Sequence, residues 1–344
     1  MDSEYFIEVE KKVPVEATPV AVTSLSFATP KQFIAAVLAE VPSVILFEPG
    51  KTVPGQRIRV ADDPVALSGG GQNLAYVACR AAKAVDVIHQ NGFVKRIGLP
   101  GQPQDLAWNG SYNPTKQKIL VSCEIPGTRD GVVCVIDEET LTLTNVLSVG
   151  NQPRGIKLDW HRKHLWVANY GGDSVTIINQ TGTKAIATLP TAGRPWTTDV
   201  SWSDPENIII SLRAGGVIQR MEASVFPPTL SGLTALSMPT DPPTDFTPEC
   251  CMPVGEDHLW IAPDRFSESV ALLVSNGREF QQIGIHSFGP REDDSDGLGQ
   301  ITLAGQGLPA TLCIANRKRK QLIFATLRKE KRELPAIAAN RERL

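Results

Sequence analysis

The side chains of this chain best suited to nucleophilic, acid–base or metal chemistry are five histidines and six cysteines. None stands at a spacing that such chemistry needs. His161 and His164 are three positions apart, but WHRKHLW reads as a turn between two strands, where the rings diverge and no third ligand lies nearby. His89, His258 and His286 are single residues at strand ends, and Glu256 only flanks the same turn as His258. Cys79, Cys123, Cys134, Cys250, Cys251 and Cys313 include no Cys-x-x-Cys pair, and most sit in apolar runs, as buried reduced thiols do. The adjacent Cys250 and Cys251 would need a strained peptide to form a disulfide, so inert thiols are expected there. No Gly-x-Ser-x-Gly elbow, Walker loop or dinucleotide fingerprint occurs. SGGGQ (68–72) does not lead from a strand into a helix, so it lacks the helix N-terminus that would hold a phosphate, and it reads as a tight turn. In REDDSDG (291–297), Glu292, Asp294, Asp296 and Gly297 share the alternate spacing of an EF-hand loop. The closing bidentate Glu is replaced by Leu303, so an exposed acidic loop is expected. Neither a metal nor a cofactor is expected.

The elements that would position any site are strands. LAYVAC (74–79), ILVSC (119–123), LWVAN (165–169), IIISL (208–212), LWIAP (259–263) and TLCIAN (311–316) are one kind of segment, with FIAAV (33–37) a fainter copy. A polar or Gly turn follows each, then a second apolar run such as VILFE, VDVI, VVCVID, VTIIN, VALLV or LIFA. A third run closes most units, and a Pro-marked entry (GQPQDLAW, GNQPRGIKLDW, AGRPWTTDVSW) opens the next. The repeat length is about 42 to 53 residues, the range of propellers and solenoids. Short runs rich in Val and Ile between Gly, Pro, Asn and Asp are strands. The second runs are nearly continuous in apolar content, as sheets covered on both faces require. Four antiparallel strands per unit, stacked face to face around an axis, meet that demand, so the expected fold is all-β, a seven-bladed β-propeller of four-stranded antiparallel blades. Seven units of about 45 residues use roughly 315 residues. The chain (1–344) is therefore read as a single domain, with an N-terminal arm (1–19) and a C-terminal tail (331–344). Ring closure needs a fourth strand for the last blade, and YFIEVE (5–10) is favoured over ELPAIAA (333–339), where Pro335 permits only an edge position. Segments 227–256 and 288–299 are read as insertions.

Residues 163–202, and next 74–111 and 118–160, resemble the YVTN-type propeller repeat: a "YVAN"-like strand, a Gly-rich turn, a "VSVID"-like strand, an "ATI" strand and a "VGxxPxGVAVS" entry. The resemblance covers roughly 74–204 and places the chain among WD40-, NHL- and lactonase-like propellers. It implies either a binding scaffold or an enzyme of the lactonase or lyase kind acting on a small ester or lactone, but the His and Glu set of such enzymes has no match by motif here.

Apolar residues make up 42% of the chain and charged residues 21%, which suits a soluble domain with a core, and the net charge of −3 gives no long-range attraction to nucleic acid or membrane. MDSEYFIEVEKK has no apolar stretch of export-signal length, and no run is long enough to span a bilayer. A cytoplasmic site is the expectation, with a place in a virion as the alternative. In a propeller, the loops from second to third strand and from outer strand to the next inner strand emerge on one face. Here those loops carry Arg80, Arg129, Arg154, Arg194, Arg213, Arg265 and Arg317, the last opening the run Arg317-Lys318-Arg319-Lys320. Arginine grips carboxylate or phosphate bidentately. Glu124, Asp130, Asp173, Asp264 and Glu268 occupy the same loops and could simply pair with them. The basic segment RKRKQLIFATLRKEKREL reads as a solvated edge strand, with a helix over Gln321 to Leu334 as the alternative. Nucleic acid would need interleaved aromatics, and only Phe324 is present. The reading is a non-catalytic binding propeller, a structural subunit of a larger assembly, that meets a protein partner, a copy of itself or an anionic ligand.

Overall fold

The computed structural model describes residues 3–26, 32–48, 50–110, 114–200, 207–213, 217–222, 229–238, 244–254, 258–275, 279–289, 297–304 and 308–331. Among these, the chain forms seven four-stranded antiparallel sheets and one two-stranded hairpin. Helix among the described residues is limited to two three-residue 3-10 turns, Pro114–Lys116 and Tyr170–Gly172. The chain is a seven-bladed β-propeller. Blade 4 shows the pattern, with an inner strand Pro153–Asp159, a second strand His164–Asn169, a third strand Ser174–Asn179 and an outer strand Ala185–Pro190.

Burial explains why each run sits where it does. The second strands Ala75–Cys79 and Leu259–Pro263 are buried at every position, because neighbouring blades cover both faces. The outer strand Thr142–Val149 of blade 3 instead alternates exposed and half-buried residues, as a rim strand with one wet face does. Seven apolar clusters fill the seven gaps between neighbouring blades. The gap between blades 7 and 1 is one of them, with Phe47 and Phe324 packed at 5.3 Å between ring centroids. The ring is closed.

The last blade orders its strands Leu298–Ala304, Ala310–Asn316, Gln321–Lys331 and, outermost, Ser3–Pro14 from the other end of the chain. Gln321–Lys331 is thus neither a helix nor an edge. It pairs with Ala310–Asn316 on one side and Ser3–Pro14 on the other. Leu322, Ile323, Phe324 and Ala325 are consecutive and all buried, which a strand between two blades accommodates and a one-faced surface helix does not. The alternative segment 333–339 and the acidic stretch 290–296 lie outside the described residues. Of the long fifth-blade segment, the structure shows an outer strand Thr229–Ala235 and a small hairpin, Ser237–Met238 with Thr244–Asp245.

The Pro-marked entries have a structural consequence for the site. In blades 1 to 5 the inner strand meets its neighbour at Pro19, Pro64, Pro103, Pro153 or Pro195, and the pairing register breaks directly after that proline. Proline has no N–H to give to the ladder, so it is tolerated at a strand's start, and the bulge that follows turns the next side chain away from the sheet. In blades 4 and 5 those next residues are Arg154 and Trp196.

SGGGQ forms the turn between Pro64–Gly69 and Ala75–Cys79. A Cβ on Gly70 would stand 2.1 Å from Glu138 Oε1, and the Gly71 N–H donates to Glu138 at 3.1 Å. The glycines let a buried carboxylate from blade 3 approach the turn and take the Gly71 N–H that a bound phosphate would need.

Candidate arginine-rich binding face

Antiparallel register brings the start of each inner strand beside the end of the second strand, as in the pairs Pro153↔Asn169, Pro195↔Leu212 and Leu298↔Asn316. Residues at these ends therefore share one face. At its centre lies Glu249, a buried side chain just before the inner strand Met252–Val254 of blade 6. Glu249 Oε1 accepts from Arg317 Nη2 at 2.7 Å, and Oε2 accepts from Arg213 Nη2 at 2.8 Å and Arg265 Nη1 at 3.3 Å. These arginines follow the second strands of blades 7, 5 and 6. Groups from blades 5 and 7 can share one carboxylate only where the blades converge, near the axis.

Trp196 extends the cluster toward blade 4. The Arg213 guanidinium lies 3.1 Å from its ring centroid, with Arg154 at 5.6 Å and Arg265 at 6.0 Å. Tyr170 packs edge-on against Trp196 at 5.7 Å and carries Arg154 and Arg194 over its ring at 5.8 and 5.7 Å. Arg154 also pairs with Glu124 of blade 3 at 3.2 Å. Phe266, 49% exposed, stands beside Arg265.

Five of the seven arginines expected on this face, Arg154, Arg194, Arg213, Arg265 and Arg317, thus belong to one connected arrangement. Arg80 is instead engaged by Asp63, at 2.7 and 3.1 Å. Arg129 is exposed on the turn 125–130, with left-handed backbone (φ 66°). The acids of the same loops divide. Glu124 joins the cluster, Asp173 accepts the Arg194 backbone N–H at 2.7 Å, and Glu268 holds Arg319 and Asn316. Asp264 receives the backbone N–H of Thr247 at 2.9 Å. Glu249, Trp196 and Tyr170 are the members of this arrangement that sequence reasoning missed. The usable signal for Glu249 was an acid placed directly before an inner strand, and for Trp196 its position after the entry proline.

Electrostatics follows from this packing. Burial pushes the Glu249 carboxyl up, but Arg317, Arg213 and Arg265 outweigh it and hold it below the ordinary carboxylate value. Burial lowers Arg213 to about 10, with Arg265 and Arg317 acting in the same direction and Glu249 opposing, so Arg213 stays charged at neutral pH. Arg154 is likewise lowered by burial, with Glu124 opposing. Three guanidiniums thus share the one Glu249 carboxylate. Further along the inner strands, Lys157 of blade 4 is accessible to water yet enclosed by protein. Burial alone would lower it, but Asp105 and Asp199 of blades 3 and 5 raise it and keep it charged. Each of these acids also accepts a backbone N–H from a following blade, Ile156 at 3.0 Å and Cys251 at 3.1 Å.

The five histidines do not gather on this face. His89, His161, His164 and His258 lie at the opposite ends of their strands, and His286 packs on Phe288 in the outer strand of blade 6. No group of three or more His, Cys, Asp or Glu among the described residues is arranged to hold a metal ion, and none of the six cysteines is disulfide-bonded. No helix among the described residues is long and apolar enough to cross a membrane.

No protein-family model and no curated protein matches the chain. Solved structures match it over nearly its whole length. Hydrazine synthase of Kuenenia stuttgartiensis is similar with a TM-score of 0.70 and 15% identity, over 92% of this chain and 97% of that one. The β-propeller domain of Cps50 (Swd1) from Myceliophteria thermophila gives 0.70 and 10%, over 93% and 99%. Streptogramin B lyase gives 0.69 and 12%, over 95% and 98%. At such identities the likeness is one of fold, and proteins this different on one fold leave function to be argued from the site.

Proposed function

We propose that this propeller is a non-catalytic binding module that holds an acidic segment of a partner protein on its arginine-lined face, as a subunit of a larger assembly. The convergence of Arg213, Arg265 and Arg317 on Glu249, beside Arg154 and Trp196, carries the reading. Arginine, tryptophan and tyrosine are the residues most enriched among the anchors of protein interfaces. The exposed Phe266 adds apolar contact beside the charge, and a closed ring holds the whole face rigid, which limits the ordering cost of association. The chain's overall negative charge confines attraction for acidic partners to this patch.

The test is fluorescence anisotropy with a labelled poly-glutamate peptide at low and high salt. Binding is expected at low salt, weaker at high salt because exposed charges are screened, and lost in the double variant Arg194→Glu/Arg265→Glu. No binding at low salt, or equal binding by the double variant, overturns the reading.

A further inference from the structure

We infer that Lys157, Asp105 and Asp199 form a site in the axial channel for a small zwitterion of the α-amino-acid class, with its carboxylate on Lys157 and its ammonium on Asp199 and Asp105. The site is separate from the arginine face and does not depend on the function proposed for that face.

Topology brings the three residues together. They lie on the inner strands of consecutive blades, Gln102–Trp108, Pro153–Asp159 and Pro195–Val200, which all run away from the arginine face. Ile156 and Leu158 join the apolar cluster between blades 3 and 4, so Lys157, between them in sequence, faces the other way. A Cβ on Gly155 would stand 2.9 Å from Thr197 Cα, so blades 4 and 5 are level there, and two residues further on Lys157 is level with Asp199. On the blade 3 side, Asp105 Oδ2 accepts the N–H of Ile156, the residue before Lys157, at 3.0 Å. Lys157 is exposed although its strand lines the inside of a closed ring, so its side chain stands in the channel. The groups there are charged but not in contact. Among the described residues, no carboxylate oxygen lies within 4.0 Å of Lys157 Nζ. Asp105 and Asp199 act on it across a gap and keep it charged against the effect of burial. Asp199 is only 7% exposed and accepts from the Cys251 N–H and from Thr197 Oγ1, both at 3.1 Å and both on Oδ2. These two bonds hold the carboxylate in place and leave Oδ1 without a donor among the described residues. An ammonium that lacks an acceptor and a carboxylate oxygen that lacks a donor, held further apart than contact distance, match a ligand with one charge of each sign. Charge-assisted hydrogen bonds at both ends favour such a ligand over a polyol or an amide, and the low dielectric inside the ring strengthens them.

The experiment is isothermal titration of the full chain at pH 7 with glycine, and with its two halves, acetate and methylammonium, at matched ionic strength. Glycine is expected to bind at least about tenfold more tightly than either half, the difference one additional charge-assisted contact makes. Lys157→Met keeps most of the side-chain length and removes the ammonium, and should weaken glycine by about tenfold or more while methylammonium still binds. Asp105→Asn, at a half-buried position, should weaken glycine as well and guards against misfolding of the first variant. Arg129→Gln, on an exposed turn, should leave glycine binding unchanged. Glycine bound no more tightly than acetate or methylammonium, or not bound at all, overturns the site. Tight glycine binding that survives in both the Lys157 and the Asp105 variant places the ligand elsewhere and overturns it too.

Discussion

Replacing Glu249 with Gln tests the centre of the arginine face most directly. The substitution keeps the shape and one oxygen acceptor but takes away the charge that three guanidiniums share at 2.7, 2.8 and 3.3 Å. Removing one partner of a buried ion pair costs about 3–5 kcal/mol, because the remaining charge stays buried without compensation. Gln still accepts a hydrogen bond, which places the expected loss near about 3 kcal/mol. Unfolding entropy near 2.1 cal/mol/K per residue makes that loss about 4 °C in Tm for a chain of 344 residues. The pH dependence gives a sharper signature. The Glu249 pKa in the folded protein lies below its ordinary value of 4.5, so its stabilisation is fully present above pH 4.5 and is lost as pH falls through the lower folded value. Thermal unfolding of parent and variant, followed by circular dichroism, should show a constant gap from pH 5 to 8 that closes below pH 4.5. A variant as stable as the parent at pH 7, or a gap unchanged at pH 3, would refute the claim that Glu249 organises the cluster by charge.

Three further outcomes are expected. Gly131→Ala would put a Cβ 2.0 Å from the Gly150 carbonyl oxygen and 2.6 Å from Pro153 Cδ, so it should destabilise by about 1–3 kcal/mol, measured by denaturant unfolding. Burial pushes the Cys79 thiol up to about 12 and those of Cys250, Cys251 and Cys313 up as well, and a hydrogen bond with Cys134 together with burial raises Cys123, so a thiol-reactive dye at pH 8 should label these five only after denaturant is added. Deleting residues 1–14 removes the strand paired with Gln321–Lys331 and uncovers an unpaired edge, so size-exclusion chromatography should show association together with a lower Tm. A monomeric deletion variant of unchanged Tm would show that the ring does not depend on that strand.

Sequence alone determined the blades, because a strand buried on both faces must be written as a continuous apolar run, and a turn as Gly, Pro, Asn or Asp. LWVAN and VTIIN are legible for that reason, and so is the shared face of Arg154, Arg213 and Arg317, which follows from strand alternation. The run from Gln321 to Lys331 was harder to read. Its apolar half suits a strand or a helix, and only the arrival of Ser3–Pro14 from the far end of the chain makes it the third strand of a blade. Pairing within the arginine face was decided by tertiary structure alone. Arg80 and Arg213 look alike in sequence, yet Asp63 engages one while the other stacks on Trp196 and reaches Glu249 across 36 residues. Such contacts depend on how closely neighbouring blades converge toward the axis, a distance set by the packing around the whole ring and written in no local segment.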